Sequence, residues 1–224
     1  MKISFSPKYL VLVFLVGIAA CNDSVEDVIP AGFKEIQLNP DDIYIYTDNS
    51  ESSIGTRLDP LINDSIKVNV SITYGTPSSG TISFIPNEGW FYKANPGFTG
   101  VDNFNYTVCY KENCYSAPIK MYVEEPLAGA DCKYELIGES VQTTKDQPLA
   151  IRIFLNDVVC PYRGSSISSP EKGTFNTYSY SGSIKNIVYV YFPPKGFVGT
   201  DRFKYKIFTD GADLEVYCNI TITP

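Results

Sequence analysis

Pro96-Gly97-Phe98-Thr99-Gly100-Val101-Asp102-Asn103-Phe104-Asn105-Tyr106 has a second copy further along the chain. That copy is Pro194-Lys195-Gly196-Phe197-Val198-Gly199-Thr200-Asp201-Arg202-Phe203-Lys204-Tyr205. Both contain Gly-Phe-x-Gly-x-Asp-x-Phe-x-Tyr, turn residues leading into an alternating run, which predicts a turn followed by a half-buried strand. Gly100 and Gly199 permit a turn that a side chain would hinder. Asp102 and Asp201 are placed to accept backbone N–H bonds in that turn. Phe104 and Phe203 are expected to face the core. Tyr106 and Tyr205, two residues on, share that face, with hydroxyls able to bond back to an upstream loop. Two copies imply two tandem domains of similar build.

Working outward, a second pair of segments also matches. Leu61-Ile62-Asn63-Asp64 corresponds to Phe154-Leu155-Asn156-Asp157. An Asn-Asp pair after an apolar residue suits an Asx turn, because each short side chain can bond nearby backbone. Short alternating or apolar runs fill the spaces between these signals. In the first half they are 43–46, 67–74, 81–85, 90–93, 104–110 and 117–123. In the second half, strands are expected around Val141, at 149–153 and 173–175, and over 187–192, 203–207 and 216–223. The stretch 58–65 has room for one helical turn, and no long amphipathic helix is evident. The reading is all-β, with domain one at 33–125, a linker at 126–130 and domain two at 131–224. Aromatic content supports it, since 17 Tyr and 13 Phe fit pleated, half-buried surfaces.

The set Leu-x-Asn-Asp, Gly-Thr (Gly80-Thr81 and Gly173-Thr174) and Pro-x-Gly-Phe-x-Gly-x-Asp-x-Phe-x-Tyr resembles bacterial Ig-like and cadherin-like tandem repeats of large surface proteins. The resemblance covers both halves. It implies two Greek-key β-sandwiches used as adhesion modules or spacers, and a tyrosine corner at Tyr106 and Tyr205. Cadherin-like repeats also raise the question of calcium between the domains. Asp41, Asp42, Glu124, Glu125 and Asp131 are the candidate ligands, since calcium favours clustered oxygens. The chain departs from such repeats beside both Asn-Asp pairs, at Asp59-Pro60-Leu61 and at Val158-Val159-Cys160, where no acidic run occurs.

The N-terminus reads as a processing signal. Lys2 and Lys8 precede an apolar stretch from Tyr9 to Ala20, and then Ile18-Ala19-Ala20-Cys21. Small residues before that cysteine resemble the lipobox of bacterial lipoproteins. The resemblance implies removal of residues 1–20 and acylation of Cys21, which would supply the two or more chains that stable anchoring needs. The alternative is an ordinary secretory signal or an uncleaved anchor. Asn22-Asp23-Ser24-Val25-Glu26-Asp27 starts an acidic tether, 21–32, similar to the stretches behind the lipid cysteine in exported Bacteroidetes lipoproteins. The expected location is therefore the bacterial outer membrane, facing the cell surface, with the membrane as a partner through the lipid.

Secretion permits disulfides among the remaining five cysteines. Cys109 and Cys114 flank Tyr110-Lys111-Glu112-Asn113 and are expected to staple a tight hairpin. Among Cys132, Cys160 and Cys218, either Cys132–Cys160 or Cys160–Cys218 satisfies the sequence, with one thiol left over.

The chain contains no histidine, which removes Ser-His-Asp and Cys-His catalysis and imidazole metal sites. Its net charge is −7 and it has no long basic run, so nucleic acid is not an expected partner. No pair of carboxylates stands in a setting that marks a glycosidase. The sequence thus names no catalytic residue and no required cofactor. It favours a non-catalytic envelope module, with another envelope protein or a glycan as partner. The alternative is a carbohydrate-binding surface lipoprotein. Its candidate contacts are Tyr178 and Tyr180 in the loop Tyr178-Ser179-Tyr180-Ser181-Gly182-Ser183, whose Tyr/Ser/Gly composition suits adaptable recognition.

Overall fold

The computed structural model describes residues 36–47, 54–127 and 132–224. Its strands in domain one are β1 (Ile36–Gln37), β2 (Asp41–Tyr46), β3 (Thr56–Arg57), β4 (Ser65–Ile66), β5 (Ser71–Tyr74), β6 (Gly80–Ile85), β7 (Gly89–Ala94), β8 (Gly100–Tyr110) and β9 (Asn113–Glu124). Domain two holds β10 (Glu139–Thr144), β11 (Leu149–Ile151), β12 (Gly164–Ile167), β13 (Thr174–Ser179), β14 (Ile187–Phe192), β15 (Gly199–Phe208) and β16 (Leu214–Thr223). Short 3₁₀ turns occupy Pro60–Asn63 and Ile184–Asn186. The candidate lipid site Cys21, the tether and Asp131 lie outside the described residues.

Each domain packs a four-stranded sheet on a three-stranded one. The orders are β2-β9-β8-β5 over β3-β7-β6, and β10-β16-β15-β12 over β11-β14-β13. In both domains the first strand of the larger sheet pairs parallel with the last, while the other strands pair antiparallel. The duplication extends to register: Phe104 stands opposite Ile119, and Phe203 opposite Cys218. Cys218 thus takes the core position that Ile119 holds in domain one, which suits a thiol behaving as a small hydrophobe.

Alternation decides which residues enter each core. Along β8 the inward row is Asp102, Phe104, Tyr106 and Val108, and along β15 it is Asp201, Phe203, Tyr205 and Ile207; all eight are buried. Tyr92 and Tyr191 complete the aromatic interior. Gly100 and Gly199 begin these strands at φ +126° and +144°, a conformation glycine takes at little cost, and the ring of the preceding Phe98 or Phe197 lies against each.

The strand expected over 67–74 pairs only from Ser71 to Tyr74. Ser71 stands opposite Cys109, and just beyond it β8 turns back into β9, so residues before Ser71 have no ladder partner. Val68 and Val70 still pack on the core. Sequence reading does not anticipate β12, whose Gly-Ser-Ser-Ile lacks an alternating pattern.

Candidate functional site: clamps and the seam between domains

Two carboxylates clamp each sandwich. Asp102 is fully buried. Its Oδ1 accepts from the Ser78 N–H and hydroxyl, and its Oδ2 accepts from the Ser79 N–H and the Tyr92 hydroxyl, all at 2.9–3.0 Å. Asp201 repeats this with the N–H groups of Lys172, Arg202 and Gly173 and the Tyr191 hydroxyl. Burial raises both acids, but these donors outweigh it and hold them below the usual carboxylate range. The expectation that each Asp serves its own turn is corrected. Most of the donors belong to the loop that leads into the facing sheet, because the inward side chain crosses the sandwich.

The second clamp closes the entry end. Asp64 Oδ1 accepts from the Asn39 N–H at 2.8 Å, and its Oδ2 accepts from the Tyr106 hydroxyl at 2.8 Å. Tyr106 also donates to the Asn39 carbonyl at 3.1 Å. In domain two, Asp157 accepts from the Ile137 N–H at 2.7 Å and Tyr205 donates to the Ile137 carbonyl at 2.8 Å. The Asp of each Asn-Asp pair therefore holds the incoming chain rather than its own Asx turn. Asn63 donates to the Pro40 carbonyl at 3.2 Å. Asn156 is exposed.

The two domains meet along β2, an edge strand of domain one. The Asn186 side chain completes that edge: its Oδ1 accepts from the Tyr44 N–H and its Nδ2 donates to the Tyr44 carbonyl, both at 2.7 Å. Ser183 N–H donates to the same carbonyl at 3.2 Å. Gly182 sits at φ +110°, and a Cβ there would lie 2.8 Å from the Tyr44 carbonyl oxygen. Arg152 Nη1 donates to the Asp42 carbonyl at 2.8 Å. Lys185 bonds both Glu124 oxygens, at 2.9 and 3.0 Å, and lies over the Tyr44 ring, which stacks on Tyr122.

Tyr180 donates to Asp41 Oδ1 at this seam. Asp41 is 1% exposed, and its Oδ2 has no partner among the described residues. Burial pushes Asp41 up to about 7. The Tyr178–Ser183 segment is therefore not a free loop. Tyr180 is 4% exposed and belongs to the seam, whereas Tyr178 stays half-buried on the outer side of β13.

Asp41, Asp42, Glu124 and Glu125, the calcium candidates among the described residues, form no metal-holding cluster. Asp41 is engaged by Tyr180 and Glu124 by Lys185, and no cluster of three acids or cysteines among the described residues is placed to hold a metal. Lys185 is the cation that pairs with Glu124, and Arg152 bonds the backbone carbonyl of Asp42. Cys109–Cys114 joins β8 to β9 across their hairpin, and Cys132–Cys160 forms in domain two. Cys218 is the free thiol among the described residues; burial pushes it up to about 12, so it is a poor nucleophile. Sequence reasoning missed Asn186, Arg152, Lys185 and Tyr44. The apolar pattern on both faces of Ile187-Val188-Tyr189-Val190-Tyr191-Phe192 was the available signal that something covers the outer side of β14.

A family model described as a bacterial Ig domain matches residues 38–117, most of domain one. No curated protein matches the chain. Among solved structures, it is similar to the endo-fucoidan hydrolase MfFcnA4 of glycoside hydrolase family 107, at 12% identity and TM-score 0.29, covering 69% of this chain and 23% of that one. Domains 4 and 5 of the S-layer protein SbsC are 13% identical at TM-score 0.28, with 69% and 70% covered. A three-Ig stretch of titin is 11% identical at TM-score 0.24, with 85% and 64% covered. The chain spans under a quarter of the hydrolase's length. The described residues form two tandem Ig-like sandwiches.

Proposed function

We propose that this protein is a non-catalytic, lipid-anchored module of the bacterial envelope, serving as a spacer or adhesion unit that holds two Ig-like domains in one fixed relation. The observation that carries the reading is the seam. A spacer transmits position only if its domains do not swing freely, and here Asn186, Arg152, Lys185 and Tyr180 each bond across the junction. The bacterial Ig match supports the same class. The lipobox-like Ile18-Ala19-Ala20-Cys21 supports anchoring, and the acidic tether supports display at the surface.

The test is surface crosslinking of intact producing cells, with wild-type and Cys21→Ser chains. The expected result is a wild-type protein in the membrane fraction, joined to a neighbouring envelope protein or to an external ligand, and a variant released from the membrane. A Cys21→Ser chain that stays membrane-bound would remove the anchoring part. Asn186→Ala should cost roughly 1–3 kcal/mol by leaving the Tyr44 N–H without its acceptor on that edge. It should also split thermal unfolding into two transitions. One unchanged transition by calorimetry would show that Asn186 does not carry the coupling between the domains.

A further inference from the structure

A cleft of about 430 Å³ opens between the domains beside the seam. Its floor is the outer face of the smaller sheet of domain two, where Tyr178 stands opposite Val188 and Ala150 opposite Val190. Its far wall is the entry end of domain one, with Asn39, Asn63 and Asp64. Arg152 joins the two sides. Pockets of about 300–1,000 Å³ at domain junctions, apolar with a few placed polar groups, are where small ligands bind.

The unused bonding capacity of the cleft defines a ligand class. Asn39 and Asn63 spend their amide nitrogens on the carbonyls of Asn63 and Pro40, which leaves their side-chain oxygens as acceptors. The Asp64 carboxylate accepts two bonds and retains lone pairs for more. Arg152 uses one of its guanidinium N–H groups on Asp42. The half-buried Tyr178 ring lies among Val188 and Val190, and its hydroxyl has no partner among the described residues. A wholly apolar ligand would leave these polar groups unpaired. A phosphate would face one guanidinium among carboxylate and carbonyl oxygens, on a chain of net charge −7. A sugar ring matches, because one face is C–H and its hydroxyls both donate and accept.

We propose that this cleft binds a neutral saccharide unit. The ring face packs on Tyr178, and the hydroxyls bridge Arg152 of domain two to Asn39, Asn63 and Asp64 of domain one. Binding therefore requires the seam to be closed. The proposal is independent of the spacer reading, since a spacer that binds no sugar and a sugar-binding protein without a structural neighbour are both coherent outcomes.

The experiment is saturation-transfer NMR on the full chain, in a detergent without sugar headgroups. The probes are glucose, galactose, mannose, xylose, N-acetylglucosamine and their β-linked disaccharides. At least one probe is expected to show transfer to its ring protons. Tyr178→Ala should weaken that binding about tenfold or more, while Tyr178→Phe should keep most of it because the ring remains. Tyr115→Ala, at an exposed tyrosine on β9, should bind like the wild type. No transfer to any probe overturns the proposal. So does binding that survives Tyr178→Ala, or that falls equally in Tyr115→Ala.

Discussion

Domain one and domain two close their entry ends with the same residue types and different chemistry. In domain one the Tyr106 hydroxyl bonds both the Asn39 carbonyl and the Asp64 carboxylate, and Asn39 and Asn63 add two more links to the incoming chain. In domain two Tyr205 donates to the Ile137 carbonyl and lies close enough to Asp157 to favour its charged form, but closes no hydrogen bond of normal geometry on the buried Asp157 Oδ2. Burial accordingly pushes Asp157 up to about 6. The entry of domain two is held to the segment just after Asn156-Asp157 by a backbone pair between Glu135 and Val158, by the Tyr134 hydroxyl on the Pro161 carbonyl, and covalently by Cys132–Cys160. A duplicated motif fixes where a chain end must be held, and neighbouring residues decide how.

The sandwich mouths differ as well. In domain one Trp90 lies between Tyr74 and the exposed Phe84, with ring centroids 5.2–5.3 Å apart, beside an open groove. Register places Tyr189 at the equivalent position in domain two, where it is buried against Phe175 and Phe203. The disulfide in domain one sits elsewhere, at the β8–β9 hairpin.

The largest effects should come from the clamp the domains share. Asp102→Ala and Asp201→Ala each strand several donors at once, and each should cost at least ~3 kcal/mol in urea unfolding. A domain that tolerates the loss would show that the duplicate clamps are not equivalent. Next come the disulfides, which should separate the domains. By chain entropy, removing both cysteines of Cys132–Cys160 (separation 28) should cost about 3.5 kcal/mol, against about 2 for Cys109–Cys114 (separation 5). Equal shifts in melting temperature would mean that the covalent tie is not what closes domain two. The tyrosines sharpen the contrast further. Tyr106→Phe, which removes a bond to a carboxylate, should cost about 2 kcal/mol, and Tyr205→Phe about 1 kcal/mol. The reverse order would contradict the assignment of partners.

The smallest effect concerns the seam and its pH dependence. Asp41 titrates at about 7 in the fold against 3.8 ordinarily, because burial disfavours its charged form; Tyr180 and Arg152 oppose that shift, while Asp64 and Asp42 add to it. The folded state thus holds a proton between about pH 4 and 7 that the unfolded chain releases, so this contribution to stability falls as pH rises through that window and is lowest above 7. Asp41→Asn should therefore stabilise the protein by roughly 1 kcal/mol at pH 8, with the gain shrinking towards pH 4. A melting-temperature difference that grows on acidification would refute this. Asp102 and Asp201, held below the usual range, act with the opposite sign. Their contribution is present above about pH 4 and is lost as acid protonates them.

The sequence by itself determined the duplication, the all-β class and the inward rows Asp102-Phe104-Tyr106 and Asp201-Phe203-Tyr205. A period of two and a fixed turn spacing are local properties of the chain. It also identified the Cys109–Cys114 hairpin, because those residues are neighbours in any tight turn. Only the tertiary structure decided that Asp102 serves a loop 23 to 24 residues upstream, that Cys160 pairs with Cys132 rather than Cys218, and that Tyr180 meets Asp41 across 139 positions. Alternation records which face of a strand is covered, but not which distant segment covers it. That is set by where the second sandwich comes to rest on the edge of the first.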